Sequence, residues 1–303
     1  HCNSLEEAFK GNLIALKYKP GAVELMDDKV LELTKGNISQ QKNRFFLHGD
    51  PKALLIVEFA RESKEEILLI AGKMETEMRG LGYGYHFPLV FGEDIRKVWA
   101  LRKAGLGVLS NMPGDAKPVA VIEDTAVKPG DLPAYMEDFR KILEKHRLDC
   151  VYHAHIGTGE LHLRPVLNLK DPKDVELFRI IGEETAILVK KYRGSLSGEH
   201  GDGRLRGCFI PDVIGEENYA LLKEVKKTWD PANIFNPGKI IPNGEDSGIV
   251  EEQLTKKYAN ENAVYVDVSH KVSDRLSLGY GLRLSQFNRF GQDEFYVYEN
   301  DNP

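Results

Sequence analysis

Three features are scarce or missing in this 303-residue sequence: cysteine, long apolar runs and clustered positive charge. The three cysteines, Cys2, Cys150 and Cys208, form no CxxC pair, so they predict neither a disulfide framework nor a cysteine-bound zinc or iron–sulfur cluster. No run approaches the roughly 20 apolar residues of a membrane-spanning helix. A formal net charge of -6, without Lys/Arg-rich runs, argues against a nucleic-acid partner. These absences favour a reduced, cytoplasmic protein.

The overall composition is that of a folded globular protein. Hydrophobic residues make up 42% and charged residues 29% of the chain, which suits one large or two modest domains. The sequence begins at His1 without Met, a charged n-region or an apolar leader. We interpret this beginning as an internal cut and expect a fragment of a longer polypeptide.

Helix caps and apolar periodicity predict four helices, and β-branched runs predict strands between them. The predicted helices span residues 63–80, 131–143, 171–194 and 219–229. The predicted strands span residues 54–59, 119–122, 151–156 and 161–169. Because the helices do not alternate one-for-one with strands, the order favours an α+β layer, an antiparallel sheet with helices on one face, over a doubly wound parallel sheet.

The sequence changes character after about residue 245, which predicts a boundary between a domain of residues 1–245 and a tail of residues 246–303. Residues 242–248 form a turn-rich linker, and beyond it apolar residues alternate with small or polar ones at 264–268 and 276–284. This period of two predicts a β-hairpin. It is typical of an outer-membrane barrel strand, and an edge hairpin of a soluble sheet fits the periodicity as well.

The segment 153–162, HAHIGTGELH, carries three histidines around two glycines. On a straight strand His155 and His162 would face opposite sides, because their separation is odd. Gly157 and Gly159 allow backbone angles closed to other residues, so the chain can turn and bring both imidazoles to one point. Two neutral histidines and a carboxylate form a common catalytic site for zinc or a similar divalent ion. For His153, simple packing explains the residue equally well.

The carboxylate candidate is Glu199, in the glycine-rich segment 195–204, SLSGEHGDGR. The adjacent His200 could act as a base beside the metal. A single histidine is more often a hydrogen-bonded structural residue. Four of the nine histidines, however, lie in these two glycine-rich segments, which favours a shared functional site.

Three motifs together resemble the C-terminal domain of FAD-linked oxidases. They are HIGTGELH at 155–162, SGEHGDGR at 197–204 and DPANIFNPGK at 230–239. That family includes D-lactate dehydrogenase, D-2-hydroxyglutarate dehydrogenase and the glycolate oxidase subunit. The resemblance covers roughly residues 1–241, and it implies that an FAD-binding domain precedes this segment and is missing here. Gly80, Gly82 and Gly84 do not replace that domain, because they lack GxGxxG spacing and follow a helix.

The resemblance also implies roles for individual residues. His155, His162 and Glu199 would hold a divalent metal such as zinc, manganese or iron, and His200 would be the general base. Trp99 to Arg102 resembles the WxxR segment of the family, whose arginine binds the substrate carboxylate with both arms of its guanidinium. Without the family, Arg102 is better explained as a surface salt-bridge residue. Asn236 and Lys239 would lie where the chain returns toward the flavin.

The sequence departs from the family pattern at several positions. Thr158 and Glu160 stand where HxGDGNLH has Asp and Asn, which alters the surroundings of the two histidines. Ile122 stands where the hydroxyglutarate enzymes place a lysine, so recognition of a distal carboxylate is expected to differ. At the other motif positions the sequence resembles long bacterial members of the family. These members carry a fused iron–sulfur module after the NPGK segment, which would be an electron-transfer partner. The present sequence has no such module after its own NPGK segment.

Residues 250–303 instead resemble strands of a TonB-dependent outer-membrane receptor. Strands of this kind are expected to pair fully only within an outer-membrane barrel. We expect the oxidase domain to lie on the cytoplasmic side, either free or peripheral to the inner membrane. Such a domain has no physical reason to continue into a pair of outer-membrane strands. We therefore interpret the junction as artificial or mis-assembled.

Three hypotheses follow for the function. In the first, residues 1–245 bind the substrate and metal of a flavin-dependent D-2-hydroxyacid dehydrogenase, inactive without the FAD domain. In the second, a metal-dependent hydrolase, the same His₂Glu set holds zinc and His200 activates water. In the third, the chain is a non-catalytic product of fusion. The sequence leaves the metal, the particular 2-hydroxy acid, the electron acceptor and the oligomeric state open.

Overall fold

The computed structural model describes residues 1–241, 257–273 and 276–291, with the backbone alone for residues 257–291 and no side chain for Leu106. The chain divides into two compact units, His1–Val250 and Glu251–Pro303. The linker predicted at 242–248 and the boundary predicted near 245 lie outside the described residues. Among the described helices, none is both long and apolar enough to cross a bilayer.

The first unit contains an antiparallel sheet of six strands and ten α-helices in the described residues. The strands are β1 (Ala22–Asp27), β2 (Ala53–Glu58), β3 (Lys117–Pro118), β4 (Ile122–Ala126), β5 (Cys150–His155) and β6 (Glu160–Leu167). The helices are α1 (Leu5–Lys17), α2 (Asp28–Lys35), α3 (Ile38–Gln41), α4 (Lys64–Gly80), α5 (Asp94–Val108), α6 (Leu132–His146), α7 (Pro172–Lys191), α8 (Gly203–Arg206), α9 (Ile210–Ile214) and α10 (Glu216–Trp229).

The strands run in the order β2-β1-β5-β6-β3, and β4 also pairs with β6. Every described pairing is antiparallel, so the predicted α+β class with an antiparallel sheet is confirmed. The strand predicted at 119–122 is wrong in position, since residues 119–121 connect β3 to β4. Val119 and Val121 are buried in that connection, so their apolar character reflects packing rather than strand pairing.

Register places four polar side chains of the β5–β6 hairpin on one face of the sheet. His153 is opposite His162, and His155 is opposite Glu160. Facing residues of an antiparallel pair point to the same side, and residues two apart along a strand share that side. The hairpin therefore presents three imidazoles and one carboxyl group together.

The neighbouring strands add carboxyl groups to the same face. On one side Met26 of β1 is opposite His153, so Glu24, two residues earlier, shares this face. On the other side Glu123 of β4 is opposite His162. We call this surface the polar face.

Helices bury the opposite face of the sheet. Helix α1 contacts β1 and β2, helix α7 contacts β4 and β6, and α6 packs against both helices. The buried apolar side chains here are Leu25, Leu132, Tyr135, Phe139, Leu161, Leu163, Ile181 and Val189. Helices α2 and α5 also cover part of the polar face, through a cluster that includes Met26, Val30, Leu54, Leu101 and Val151.

The second unit has a hairpin of two long strands in its described residues. Strand β7 (Lys257–Ser273) pairs antiparallel with β8 (Leu276–Gly291), from Lys257 opposite Gly291 to Ser273 opposite Leu276. The predicted C-terminal β-hairpin is therefore confirmed.

Asp27 ties the start of α2 to β5 in the interior of the first unit. Its Oδ1 accepts a hydrogen bond from Val30 N at 2.9 Å and its Oδ2 accepts one from Tyr152 N at 2.7 Å, and the residue is 1% exposed. We expect Asp27→Ala to lower the free energy of unfolding by about 2–4 kcal/mol, because it removes a helix cap and leaves a buried N–H without a partner. Urea denaturation measures this loss.

A matched control exists at the exposed N-cap of α7. Asp171 accepts a hydrogen bond from Lys173 N at 3.0 Å, and water can replace that bond. Asp171→Ala should therefore cost only about 1 kcal/mol. Equal losses in the two variants would contradict the bridging role of Asp27.

Candidate active site

A tight turn between β5 and β6 brings the histidines of the first glycine-rich segment together. Gly159 has φ +85°, and a Cβ there would lie 1.9 Å from Val127 O, so only glycine fits. Gly157 has no positive φ, but it allows the turn to approach β1 closely, because a Cβ there would lie 3.2 Å from Val23 N. The prediction that these glycines let the chain turn is confirmed, and the turn is a strand reversal rather than a kink within one strand.

The second glycine-rich segment is fastened to the sheet by Asp124. This residue lies at a bulge in β4, has φ +86° and is fully buried. Its carboxylate accepts hydrogen bonds from the Ser197 hydroxyl, from Glu199 N at 2.9 Å and from His200 N at 2.8 Å. Its carbonyl oxygen accepts a further bond from Gly198 N at 2.7 Å. The loop that carries Glu199 and His200 is thus held over the polar face.

The structure brings His155, His162 and Glu199 together, as the sequence predicts. One ligand atom from each lies within 4.8 Å of the others. Glu199 Oε1 is 3.5 Å from His155 Nε2 and 3.8 Å from His162 Nε2. The His155 and His162 rings meet edge to face, with centroids 5.2 Å apart.

His200 lies beside this triad. Its Nε2 is 3.2 Å from Glu199 Oε1, and its ring stacks on His162 with centroids 5.4 Å apart. About half of its side chain is exposed, so it can be reached from solvent.

The two triad histidines differ in their surroundings. Burial, helped by the nearby charge of His155, lowers the pKa of His162 to about 4, so this imidazole is neutral near pH 7. The hydrogen bond from His155 to Glu24 raises the pKa of His155, against the effect of burial. The Nδ1 atom of His162 is buried without a hydrogen-bond partner, and the nearest carboxylate oxygen, Oε1 of Glu123, is 4.0 Å away.

Glu160 adds a second carboxyl group to the pocket. Its Oε1 is buried without a hydrogen-bond partner, 3.9 Å from His162 Nε2. Burial and a hydrogen bond with Asp124 raise the pKa of Glu160. Hydrogen bonds from Ser197, Glu199 N, Glu160 and His200 N outweigh burial at Asp124 and lower its pKa to about 2.

Arg102 lies behind the histidines on α5 and is 5% exposed. Its Nε and Nη2 donate to Glu24 Oε2 at 3.0 and 2.7 Å, and Nη2 also reaches Ala154 O at 3.3 Å. Nη1 contacts the His153 ring. The alternative explanation as a surface salt-bridge residue is wrong, since both partners of the salt bridge between Arg102 and Glu24 are buried.

His153 packs in this layer rather than in the triad. Burial and the adjacent Arg102 hold its pKa far below the ordinary range for histidine. Asn236 and Lys239 follow α10, where Asn236 is exposed with φ +47° and Lys239 is half-buried.

Sequence reasoning missed three acidic residues of this site. Glu24 and Asp124 lie in short strands, and their bonding partners are distant in sequence: α5 and β5 for Glu24, and the loop of residues 197–200 for Asp124. Glu160 appeared only as a departure from a pattern. The signal that could have found Glu24 is an acid inside the otherwise apolar run AVELM at residues 22–26.

Comparison with known protein families identifies the family of this chain. Residues 2–240 match the family described as FAD linked oxidases, C-terminal domain. The chain belongs to this family. The resemblance to the C-terminal domain of FAD-linked oxidases that the sequence predicts is therefore confirmed.

Several curated relatives are D-2-hydroxyglutarate dehydrogenases. The chain is 33% identical over 257 residues to the one from Pseudomonas putida, covering 81% of this chain and 25% of the relative. The Haemophilus influenzae enzyme is 36% identical, with 78% and 24% covered, and the Escherichia coli enzyme is 32% identical, with 84% and 26% covered. The chain thus spans about a quarter of the length of these relatives.

Among solved structures, 4-ethylphenol oxidase from Gulosibacter chungangensis resembles the chain with a TM-score of 0.52 and 13% identity, covering 80% of this chain and 53% of that one. This likeness concerns the fold alone. The comparisons give no support to a divalent metal, an iron–sulfur partner or a TonB-like origin of the tail, and these stay predictions.

Asp124 offers a test of how the site is assembled. Asp124→Asn places an amide N–H against backbone N–H groups, so we expect the Glu199 and His200 amides to exchange with deuterium about 10- to 100-fold faster, from the loss of charge-assisted bonds worth about 1.5–3 kcal/mol. Hydrogen exchange followed by mass spectrometry of residues 195–206 measures this. Asp131→Asn is the control, because Asp131 makes no side-chain cap bond at α6. Unchanged exchange in Asp124→Asn would show that the loop is held by other contacts.

Proposed function

We propose that residues 1–245 form the substrate- and metal-binding part of an FAD-dependent D-2-hydroxyacid dehydrogenase. The observation that carries this proposal is the convergence of His155, His162 and Glu199 beside His200, within a domain of the FAD-linked oxidase family. Family membership favours this redox hypothesis over the hydrolase with the same ligands. Residues 246–303 form a separate part, consistent with the compact unit beginning at Glu251.

The triad fits a small divalent cation by distance. Zinc-type ions bind His nitrogen and carboxylate oxygen at about 2.0–2.2 Å, so neighbouring ligand atoms on a tetrahedron are about 3.4 Å apart. The separations of 3.5 and 3.8 Å from Glu199 Oε1 to the two imidazole nitrogens lie close to this spacing. Two nitrogens and one oxygen suit zinc, manganese or iron.

The surroundings of the triad support the same assignment. The neutral state of His162 is the form that ligates. Glu24 accepts a hydrogen bond from the far nitrogen of His155 at 2.8 Å, as carboxylates do behind many metal-binding histidines. Glu160 Oε1, buried and without a partner, also faces His162 Nε2.

The chain would bind and activate the α-hydroxyl of a small 2-hydroxy acid. A divalent cation held by the triad would supply positive charge that lowers the hydroxyl pKa. His200, exposed and next to Glu199, would take the hydroxyl proton. A flavin held by another region would accept the hydride that leaves Cα.

Recognition of the substrate carboxylate by Arg102 stays a prediction. In this structure the Arg102 guanidinium donates hydrogen bonds to Glu24. To bind a substrate carboxylate, the guanidinium would have to share its N–H groups between Glu24 and the substrate or release Glu24. Its position directly behind His153 and His155 supports a role in the same site.

The strand pairings of the described residues are all antiparallel, and no βαβ unit occurs among them. Docking of a separate flavin-binding region is supported by a large exposed apolar surface on α10 and the segment after it. Its residues are Leu221, Val225, Trp229, Ile234 and Phe235, with Trp229 82% exposed. Asn236 and Lys239 adjoin this surface, which supports their predicted place near the flavin.

The metal assignment is tested by removing ligands. We expect His155→Ala and Glu199→Ala to lose Zn²⁺ or Mn²⁺ affinity by more than about 100-fold, since even outer-sphere partners contribute 10–100-fold. Metal analysis after loading and gel filtration measures this. His146→Ala and Glu184→Ala are matched controls, because this pair, 3.1 Å apart, links α6 to α7 away from the polar face. Stoichiometric metal in both ligand variants would overturn the assignment.

The redox function is tested by anaerobic bleaching of the flavin with D-2-hydroxyglutarate or D-lactate, after a flavin-binding region is supplied in trans or in one chain. We expect His200→Gln to slow bleaching about 10²- to 10⁴-fold, the usual contribution of a general base, with metal retained. His146→Gln should bleach at the parent rate. Rates within a few-fold of the parent in His200→Gln would remove this residue from the mechanism, and no bleaching in the parent would count against the function itself.

A further inference from the structure

Glu24 occupies an unusual place for a carboxylate, in the middle of β1 beneath α5. It is 6% exposed and lies on the polar face, between the helix and the hairpin. Burial of a charge is costly unless partners surround it. Its partners come from two separate elements, α5 and β5.

From α5, Arg102 directs two N–H groups at Oε2, at 3.0 Å from Nε and 2.7 Å from Nη2. The guanidinium is itself fixed by Ala154 O at 3.3 Å. A carboxylate held in this way offers lone pairs and no proton. Any further partner of Glu24 must therefore be a donor.

From β5, the further partner is His155. Its Nδ1 is 2.8 Å from Oε2 and 3.0 Å from Oε1 of Glu24. Because Glu24 accepts, Nδ1 must carry the proton, and the neutral ring then leaves its lone pair on Nε2. That nitrogen is the one that lies 3.5 Å from Glu199 Oε1.

We propose that Glu24 is a positioning residue of the candidate metal site: it fixes the ring plane and the Nδ1–H tautomer of His155, so that Nε2 is presented to a cation. Arg102 in turn holds Glu24 in place. The inference rests on the proposed function in so far as His155 is a ligand, but the tautomer can be measured without any metal.

The first experiment uses the metal-free 303-residue chain, at a pH where His155 is neutral. Long-range ¹H–¹⁵N correlation spectra distinguish the two neutral tautomers of an imidazole. We expect Nδ1–H for His155 in the parent protein and loss of this preference in Glu24→Gln. An Nε2–H tautomer in the parent would overturn the proposal, and no variant is needed for that outcome.

The second experiment measures Zn²⁺ affinity by competition with a chromophoric chelator. We expect Glu24→Gln to bind Zn²⁺ about 10- to 100-fold more weakly than the parent, the usual effect of losing an outer-sphere carboxylate. Glu58→Gln is the matched control, because Glu58 lies on neighbouring β2 and accepts its bond from Trp99 Nε1 at 2.8 Å instead of from a histidine. It should bind like the parent.

A second variant separates positioning from folding. Glu24→Gln leaves Arg102 buried without a counter-charge, whereas Glu24→Leu with Arg102→Met removes both charges and is expected to fold. This double variant should show the same weakened Zn²⁺ binding. Parent-like affinity in either folded variant would overturn the proposal. If the parent chain binds no Zn²⁺, the metal assignment falls, and the tautomer spectra alone decide the role of Glu24.

Discussion

The site depends on one buried carboxylate, that of Asp124. Glu199 and His200 belong to a glycine-rich loop that has no strand of its own, and their backbone N–H groups need an acceptor. Asp124 supplies two oxygens to these N–H groups and to the Ser197 hydroxyl, and its carbonyl holds Gly198 N. The bulge in β4 and the positive φ turn this carboxylate out of the ladder toward the loop. An acid in a strained backbone position thus holds this loop beside the two histidines of the triad.

Two acids therefore flank the candidate triad, one from each of the strands that border the β5–β6 hairpin. Asp124 on β4 fixes the loop that brings Glu199, and Glu24 on β1 fixes the ring of His155. The hairpin between them sets the third position, since the register that places His153 opposite His162 also places His155 beside Glu160. Each ligand is thus aligned by a different part of the sheet, and the antiparallel order β1-β5-β6 with β4 is what brings these parts together.

Local sequence was sufficient wherever a signal was complete within a few residues. The capping residue Ser63, whose hydroxyl accepts from Glu66 N at 3.1 Å, located the start of α4, and the glycine-flanked histidines located the site. Local sequence was insufficient where the partners that stabilise a residue belong to other strands or helices. Strand β1 was missed because its two acids, Glu24 and Asp27, interrupt the apolar pattern and are satisfied only by α5, α2 and β5. The run at 119–121 was assigned to a strand because burial and strand pairing select the same residue types.

The departures from the family pattern at Thr158 and Glu160 have unequal consequences. Thr158 is exposed in the turn, and its hydroxyl bonds only to His155 O at 2.9 Å, so it leaves the pocket unchanged. Glu160 lies beside His162, where its carboxyl group is within 4.8 Å of that of Asp124. Two carboxyl groups this close cannot both ionise readily, which agrees with the raised pKa of Glu160 and the lowered pKa of Asp124. The raised pKa of Glu160 therefore reduces the negative charge that this carboxyl group adds beside His162.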